Sequence, residues 1–236
     1  MELASIFLFK FLELWYTEEN DTVLLEGFVL DGQQGSFLTL LREIRGEEDT
    51  IRARQFAEED LERLDLAGLE FEDVVWQNCR FVRCDFTRAS FYRVKFSDCF
   101  FSGCHFRDSY WRDSTLIGCK GEGANFLGSR FKECTFAETD LRYSNFTRGQ
   151  WDRTALRQCD LRETSLSEMR LSRVELYKVE LTGAELFRTS LAGVDLSACG
   201  IGGLVVSEGC GELRGARIGA EQAVEIAHLL GIEIAF

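Results

Sequence analysis

Large apolar residues recur at every fifth position along most of the chain. Counting in fives from Phe56 to Ile201 gives 30 positions, and all of them except Gly121 carry a large apolar side chain. An amphipathic α-helix repeats its apolar face every 3.6 residues, and a half-buried β-strand repeats it every 2 residues. Neither period produces this series, so the chain contains an internal repeat of five residues.

A second series of mostly small residues lies two positions before the large ones. It begins with Cys79, Cys84, Ala89, Val94, Cys99, Cys104, Ser109, Ser114, Cys119, Ala124, Ser129 and Cys134, and it continues to Cys199. Alternate residues of an extended strand point to the same side, so the small and the large residue of each repeat are expected to face one core. The remaining positions are mostly polar and are expected to face solvent.

The two outer residues between successive repeats must turn the chain through a corner. Glycine occupies the second of these positions in seven repeats, which fits a turn with positive φ, namely at Gly68, Gly103, Gly118, Gly123, Gly128, Gly183 and Gly193. Four such corners close a square of about 20 residues, and stacked squares form a parallel β-solenoid.

The repeat sequences resemble those of a known family. CDFTRASF, GANFLGSRF and GAELFRTSLAGVDL are similar to the A-(D/N)-L-x-x pattern of pentapeptide-repeat proteins, over about 150 residues. The resemblance implies an all-β solenoid, a right-handed quadrilateral parallel β-helix. The repeats would form about 7.5 coils, and the rod would be roughly 36 Å long at ~4.8 Å per coil. We expect three regions: a capping segment (1–55), the β-helix (56–205) and a C-terminal module (206–236).

The core is expected to change character along the rod. Aromatic residues fill the first half of the core and leucines fill the second half. Residues 20 apart are expected to stack as an aromatic ladder, with Phe71, Phe91, Trp111, Phe131 and Trp151 in one column and Phe86, Phe106, Phe126 and Phe146 in its neighbour. Gly121 removes one side chain between Phe101 and Leu141, so we expect a kink or cavity there.

The C-terminal residues predict a helix of about ten residues from Ala220, ended by Gly231 and followed by a short apolar strand. The pattern L-x-G-x-x-I…Q-A…L-G-I-x-I is similar to the C-terminal module of the Qnr and MfpA group. That resemblance implies a homodimer interface, here formed by Ala223, Ile226, Ala227, Leu229, Leu230, Ile232 and Ile234. The alternative is a helix that only covers the last coil of its own chain.

The N-terminal residues match no family pattern. They predict a strand or helix over residues 6–16, a strand over residues 22–30, and a helix from Ser36 to Gly46. Residues 50–63 fit either a helix or the first coil, because Arg54 and Glu59 occupy its small inner positions. We expect the whole segment to cap the aromatic half of the rod.

Composition narrows the function classes. The chain carries 27 basic and 40 acidic residues, a formal charge of −13, which disfavours direct binding to nucleic acid or to an anionic membrane. The opening apolar run is broken by Lys10 and Glu13 and has no signal-peptide pattern. Nine cysteines without such a signal suggest a reducing, cytoplasmic environment.

The sequence gives no sign of a catalytic or metal site. Eight of the nine cysteines fall on the small inner positions, where packing explains them. The two histidines, His105 and His228, are far apart, and no nucleophile–base set stands out. We therefore expect no enzyme activity, no catalytic residue, no metal and no cofactor.

Function should therefore depend on the surface. The family resemblance implies a dimeric mimic of double-stranded DNA that binds DNA gyrase or topoisomerase IV and modulates sensitivity to quinolones or other inhibitors. The alternative is an interaction scaffold for a partner other than a topoisomerase. Charge counted by face gives no continuous acidic stripe. An acidic patch is expected at the N-terminal coils, formed by Asp65, Glu70, Glu72 and Asp73, and a second acidic group nearer the C-terminus steps along adjacent faces at Glu175, Glu180 and Glu185. Arg-rich coils lie between the two groups, with Arg83, Arg88, Arg93, Arg107 and Arg112.

Overall fold

A computed structural model describes residues 36–44 and 50–233. The segments predicted at residues 6–16 and 22–30, together with Ile234, lie outside the described residues. All strand pairs are parallel, and the partner in the next coil lies 20 residues further along, as in Thr50↔Glu70 and Arg130↔Gln150. One column of paired residues advances in seven steps of 20 residues from Asp65 to Val205. The square coil of 20 residues and the parallel β-solenoid are therefore confirmed.

Fifteen strands, two α-helices and one 3-10 turn make up the described chain. The helices are α1 (Phe37–Ile44) and α2 (Ala220–Leu229), and the 3-10 turn is Gly211–Leu213. The strands are β1 (Thr50–Ala57), β2 (Asp60–Glu62), β3 (Glu70–Gln77), β4 (Arg80–Val82), β5 (Ser90–Tyr92), β6 (Lys95–Ser97), β7 (Phe100–Ser102), β8 (Tyr110–Arg112), β9 (Thr115–Ile117), β10 (Arg130–Lys132), β11 (Thr135–Ala137), β12 (Gln150–Asp152), β13 (Ala155–Arg157), β14 (Arg170–Ser172) and β15 (Glu175–Tyr177). The larger sheet has the order β14-β12-β10-β8-β5-β3-β6-β9-β11-β13-β15, with β1 also paired to β3, and the smaller sheet has the order β2-β4-β7.

The corners have one backbone conformation throughout. Every fifth residue from Ala53 to Gly193 has a positive φ, and the seven glycines expected at corners have φ between 62° and 81°. The other corner residues are not glycine, and Arg93 (φ 54°) and Glu163 (φ 54°) are examples. This conformation costs an L-residue on the order of 1–2 kcal/mol. The parallel hydrogen bonds on both sides of each corner must offset that cost.

Aspartate and asparagine in the repeat stabilise the turns that follow them. The Oδ1 atom of Asp85 accepts a hydrogen bond from the Thr87 amide at 2.9 Å, and Oδ1 of Asn145 accepts one from the Thr147 amide at 2.9 Å. Such local side-chain bonds favour turns over other backbone conformations. The preference for these residues in the repeat therefore has a local cause.

Stacked aromatic rings fill the first part of the core and leucines fill the rest, and two of the aromatic stacks are long. Phe86, Phe106, Phe126 and Phe146 stack with centroids 4.8, 4.8 and 4.7 Å apart. In the adjoining column, Phe91 lies 5.2 Å from Phe71 and 3.8 Å from Trp111, and the column continues to Phe131 and Trp151, which are also buried. Each stacking distance follows from the spacing of parallel strands, because equivalent residues lie directly above one another.

Backbone pairing passes Gly121 without interruption. Lys120 pairs with Phe100 and Asp140, and the Gly121 amide donates to the Asp140 carbonyl at 2.7 Å. The Cδ2 atom of Leu141 lies 3.1 Å from where a Cβ would stand on Gly121. Leu141 thus occupies the space left by the missing side chain, and the expected kink does not take the form of a break in pairing.

Helix α1 covers the first coil. Phe37 is fully buried, with its ring 5.2 Å from that of Phe56 and 5.0 Å from that of Trp76. The Phe37 amide donates to Oε1 of Glu59 at 2.9 Å. The predicted helix is confirmed over Phe37–Ile44, and residues 50–63 form strands β1 and β2 of the first coil.

Candidate protein-interaction surfaces

One edge of the solenoid carries a ladder of ion pairs between successive coils. Arg93 bridges Asp73 (Nε–Oδ1 2.6 Å) and Glu72 (Nη2–Oε1 2.7 Å), and Glu72 also pairs with Arg52 at 2.7 Å. The ladder contains five acidic and five basic side chains, namely Arg52, Glu72, Asp73, Arg93, Arg112, Asp113, Glu133, Asp152, Arg153 and Arg173. Because these charges cancel, this edge does not resemble the phosphate backbone of DNA.

A second set of ion pairs lies on another face. Arg142 contacts both carboxylate oxygens of Asp140 (2.9 and 2.7 Å), and Arg162 contacts both oxygens of Asp160 in the same way (2.9 and 2.6 Å). Hydrogen bonding from Arg142 holds the pKa of Asp140 below its usual value, and Asp140 raises the pKa of Arg142. The negative charge of each carboxylate is therefore compensated locally by an arginine.

The net charge of the solenoid changes sign along its length, from one group of coils to the next. Residues 50–73 carry 8 acidic and 3 basic side chains (−5), residues 74–179 carry 13 acidic and 18 basic (+5), and residues 180–233 carry 8 acidic and 3 basic (−5). We call these the N-terminal acidic coil, the basic middle and the C-terminal acidic end. Counting charge by face hides this alternation, and the Arg-rich coils expected between the two acidic groups lie in the basic middle.

The residues predicted to form the acidic surface are divided among these regions. Asp65, Glu70, Glu72 and Asp73 lie in the N-terminal acidic coil, Glu175 lies in the basic middle, and Glu180 and Glu185 lie in the C-terminal acidic end. Glu72 and Asp73 are bound by arginines, and Glu175 lies 3.5 Å from Arg157. The two predicted groups are therefore separate along the chain, and Glu70, Glu72, Asp73 and Glu175 are paired with arginines.

Several basic side chains of the middle are not neutralised. Arg83, Arg88 and Arg107 are exposed and have no ion pair within the described residues. The Lys120 ammonium lies 5.3 Å from the centroid of the exposed Phe100 ring, a cation–π contact. The basic middle thus offers free cations and one exposed aromatic ring.

Helix α2 packs on the last coil with one side and leaves apolar groups on the other. Ile226 and Leu229 contact the core, and Ala227 is half-buried. Leu230 is 50% exposed and Ile232 is 53% exposed, and Ala223 is also exposed. The Gly231 amide donates to His228 and the Ile232 amide to Ala227, each at 2.9 Å, with Gly231 at φ 73°. This is a Schellman ending, as predicted from Gly231.

The cysteines serve packing. All nine are free and buried, and most of the thiols donate to backbone carbonyls, as Cys99 does to Ser97 at 3.3 Å and to Trp76 at 3.6 Å. Burial raises the pKa of Cys134 to about 12 and that of Cys159 to about 11. Thiols held in this protonated state are poor nucleophiles and poor metal ligands.

Neither a metal centre nor a membrane span emerges from the part of the chain that the structure describes. Within residues 36–44 and 50–233, no three His, Cys, Asp or Glu side chains lie close enough to hold a metal ion. Of the described helices, neither has the length and apolar character needed to cross a bilayer.

Comparison with known proteins agrees with the repeat geometry. A family model described as a pentapeptide repeat region matches residues 89–166, and a model of eight copies of the pentapeptide repeat matches residues 152–187. No curated protein matches the chain.

The solved structures to which the chain is similar include the following two. A trypsin-treated variant of QnrB1, described as a plasmid-mediated fluoroquinolone resistance protein, is 19% identical, with 79% of this chain and 99% of that chain covered and a TM-score of 0.46. HetL, described as involved in heterocyst differentiation regulation in the cyanobacterium Nostoc, is 16% identical, with 75% and 90% covered and a TM-score of 0.31. The family models identify residues 89–187 as pentapeptide repeats, and the same five-residue geometry continues on both sides of them.

Proposed function

We propose that this protein is a non-catalytic cytoplasmic rod that forms a homodimer through its C-terminal helix and binds a type II topoisomerase, DNA gyrase or topoisomerase IV, in place of DNA. Binding would change the sensitivity of the enzyme to quinolones or other inhibitors. The observation that carries the proposal is that Leu230 and Ile232, the exposed apolar side chains at the end of α2, lie in the C-terminal acidic end. We call these two residues the exposed apolar edge of α2.

The apolar edge supports dimerisation. Leu230 and Ile232 are half-exposed, and Ala223 and Ile218 are further exposed apolar side chains of the same C-terminal region. Contiguous exposed apolar surface on a folded protein marks an interaction site. A two-fold contact would place the same patch of each subunit against its copy.

Such a dimer would concentrate negative charge at its centre. Each subunit contributes a C-terminal acidic end of −5, so the two ends together carry −10. Two rods of roughly 36 Å would span about 20 base pairs at ~3.4 Å each. A DNA-binding groove is basic because it neutralises phosphates, and the acidic centre would therefore compete with DNA there.

The direct test measures gyrase supercoiling and quinolone-induced DNA cleavage with purified protein. We expect wild type to reduce cleavage or supercoiling at micromolar dimer. Glu208→Lys combined with Glu221→Lys, both exposed in the acidic end, should weaken the effect at least tenfold. The matched control, Glu138→Lys with Glu163→Lys in the basic middle, should not. If wild type changes neither reaction, the topoisomerase proposal is wrong.

The basic middle favours a second candidate, an interaction scaffold for an acidic protein that is not a topoisomerase. Arg83, Arg88 and Arg107 are exposed and have no ion pair to any residue of 36–44 or 50–233, and such positive side chains attract an oppositely charged surface. In this case a charge-reversed variant of these three arginines should lose the partner, while the Glu208→Lys and Glu221→Lys variant retains it. If the arginine variant instead remains fully active on gyrase, the result favours the first candidate.

A further inference from the structure

The last coil lacks the backbone partner that every earlier coil has. At one inner position, the carbonyl of each coil accepts an amide from the next, as Cys79 does from Phe100 (2.9 Å) and Val179 does from Gly200 (3.0 Å). The next donor in this series would be the amide of residue 220, which begins helix α2. Among the residues that the structure describes, none therefore supplies the Cys199 carbonyl with a backbone partner from a further coil.

The side chain of Gln222 takes the place of that partner. Its Nε2 atom donates to the Cys199 carbonyl and to the Leu196 carbonyl, each at 2.6 Å. Its Oε1 atom accepts from the Gly219 amide at 2.5 Å, which fixes the orientation of the amide group. The Gln222 side chain thus makes two hydrogen bonds to carbonyls of the last coil and one to the amide of the residue that precedes α2.

The Leu196 contact repeats a feature of the earlier coils. The carbonyl of Trp76 accepts from the Cys99 thiol at 3.6 Å, and that of Leu116 accepts from the Thr139 hydroxyl at 3.3 Å, in each case 23 residues later. The residue 23 positions after Leu196 is Gly219, which has no side chain to donate. Gln222 therefore replaces both a backbone and a side-chain donor of the missing coil.

Glu212 performs the complementary role for a donor. In earlier coils the equivalent amides donate to a carbonyl of the next coil, as Arg148 does to Ser167 at 2.9 Å. The Arg188 amide instead donates to Oε1 of Glu212 at 3.0 Å. Glu212 is only 6% exposed and also accepts from the hydroxyl of Ser207 at 2.5 Å and from its amide at 3.2 Å.

We propose that Gln222, assisted by Glu212, is the side-chain cap that ends the solenoid and closes its last edge to a strand from a second copy of this chain. Unpaired strand edges readily accept strands from other molecules. Two copies with open C-terminal ends would present complementary unpaired amides and carbonyls to each other. The cap occupies those groups before a second copy can reach them.

The test compares Gln222→Glu with the matched control Gln158→Glu, the same chemical change at an exposed corner. A carboxylate cannot donate to Leu196 and Cys199. Both variants are made in a Leu230→Arg and Ile232→Arg background, which removes the exposed apolar edge of α2 and hence the dimer of the proposed function. The readouts are hydrogen exchange, followed by mass spectrometry, and mass by light scattering across a range of concentrations.

We expect the amides of α2 and of Leu196 and Arg217 to exchange roughly ten- to a hundredfold faster in Gln222→Glu than in the control. Coils 70–185 should exchange as in the control, which shows that the rod is folded. The mass should rise from monomer towards dimer with concentration. Exchange equal to that of Gln158→Glu, or accelerated exchange without a rise in mass, would overturn the proposal. Gln222→Leu, which also cannot donate, should behave like Gln222→Glu.

Discussion

The indole Nε1 of Trp111 donates a 2.8 Å hydrogen bond to the hydroxyl of Ser109, the small inner residue two positions before it. Ser109 is in turn bonded to Ser129 in the next coil at 3.0 Å. The equivalent small residue is Val74 for Trp76 and Gly149 for Trp151, and neither side chain can accept a hydrogen bond. Among the described residues, the indole nitrogens of Trp76 and Trp151 are buried without a partner. The five-residue repeat therefore supplies a partner for one core tryptophan and not for the other two.

Val74→Thr should stabilise the protein relative to the matched variant Val94→Thr. Threonine has nearly the shape of valine, and its hydroxyl at position 74 would lie two residues before Trp76, whereas position 94 precedes Phe96. Satisfying a buried donor contributes on the order of 1 kcal/mol. Urea unfolding measures the difference as a higher midpoint for Val74→Thr. Equal midpoints for the two variants would contradict this assignment.

Gly149→Ser should not give the same benefit for Trp151. A Cβ at position 149 would lie 2.8 Å from the Phe146 carbonyl oxygen and 2.9 Å from Sδ of Met169. Contacts this short force the neighbours to move. We therefore expect Gly149→Ser to lower the free energy of unfolding by about 1–3 kcal/mol, measured as a lower urea midpoint than that of wild type. A stabilised Gly149→Ser would show that the core has more room at this site than its contacts indicate.

Glu212 should make the C-terminal cap sensitive to acid. Burial raises the pKa of Glu212, but bonds from Ser207 and from backbone amides lower it by more, and the net pKa is below the usual 4.5. Because the folded pKa is the lower one, the carboxylate stabilises the fold fully above the unfolded pKa. This contribution is lost as pH falls through the folded pKa.

Thermal melts of wild type and Glu212→Gln between pH 3 and pH 7 test this linkage. We expect wild type to be the more stable at pH 7 by about 1–3 kcal/mol, because the amide replaces a charged acceptor of three hydrogen bonds. The difference should shrink as pH falls below about 4.5. A difference that is constant across this range would show that ionisation of Glu212 does not contribute.

Thiol reactivity should report unfolding of the rod. The eight cysteines of the small inner positions are buried, and Cys210, at 9% exposure, is the most accessible. Burial keeps a disulfide reagent away from these thiols, and the raised pKa of Cys134 and of Cys159 also suppresses the reactive thiolate there. We expect Ellman's reagent to modify at most Cys210 in the native protein and all nine thiols in urea. Cys210→Ser should remove the native reaction, and a rapid reaction in that variant would contradict the packing role of the cysteines.

The fold was predictable because each repeat specifies its own geometry locally. The large residue, the small residue and the corner residue are five positions apart, so a pattern such as Phe86, Phe91, Phe96 indicates which side chains share the core. The ion pairs follow from the same spacing, because residues 20 apart, such as Asp73 and Arg93, must be neighbours in a square coil.

The ends of the rod were less predictable. The role of Gln222 depends on where helix α2 lies against Leu196 and Cys199, and that position is set by tertiary contacts, not by any repeat. The basic middle is visible in the sequence when charge is counted along the chain, but its meaning depends on the coils being stacked in order. The five-residue period therefore predicts the solenoid, whereas the roles of the non-periodic residues at its ends depend on tertiary contacts that the sequence pattern does not predict.

The orientation of α2 separates residues that hold the helix from residues that could bind a second subunit. Leu229 packs partly against the core, whereas Leu230 and Ile232 are half-exposed. We expect Leu230→Arg with Ile232→Arg to halve the mass measured by light scattering without lowering the urea midpoint. Leu229→Ala should instead destabilise the C-terminal end, by about 1–3 kcal/mol for a partly buried leucine. As a control, Tyr177→Arg with Phe187→Arg, which alters two exposed aromatic side chains of the rod, should leave the mass unchanged. A mass unaffected by the Leu230 and Ile232 changes would mean that this helix covers only its own last coil, the alternative already indicated by its contacts with the core.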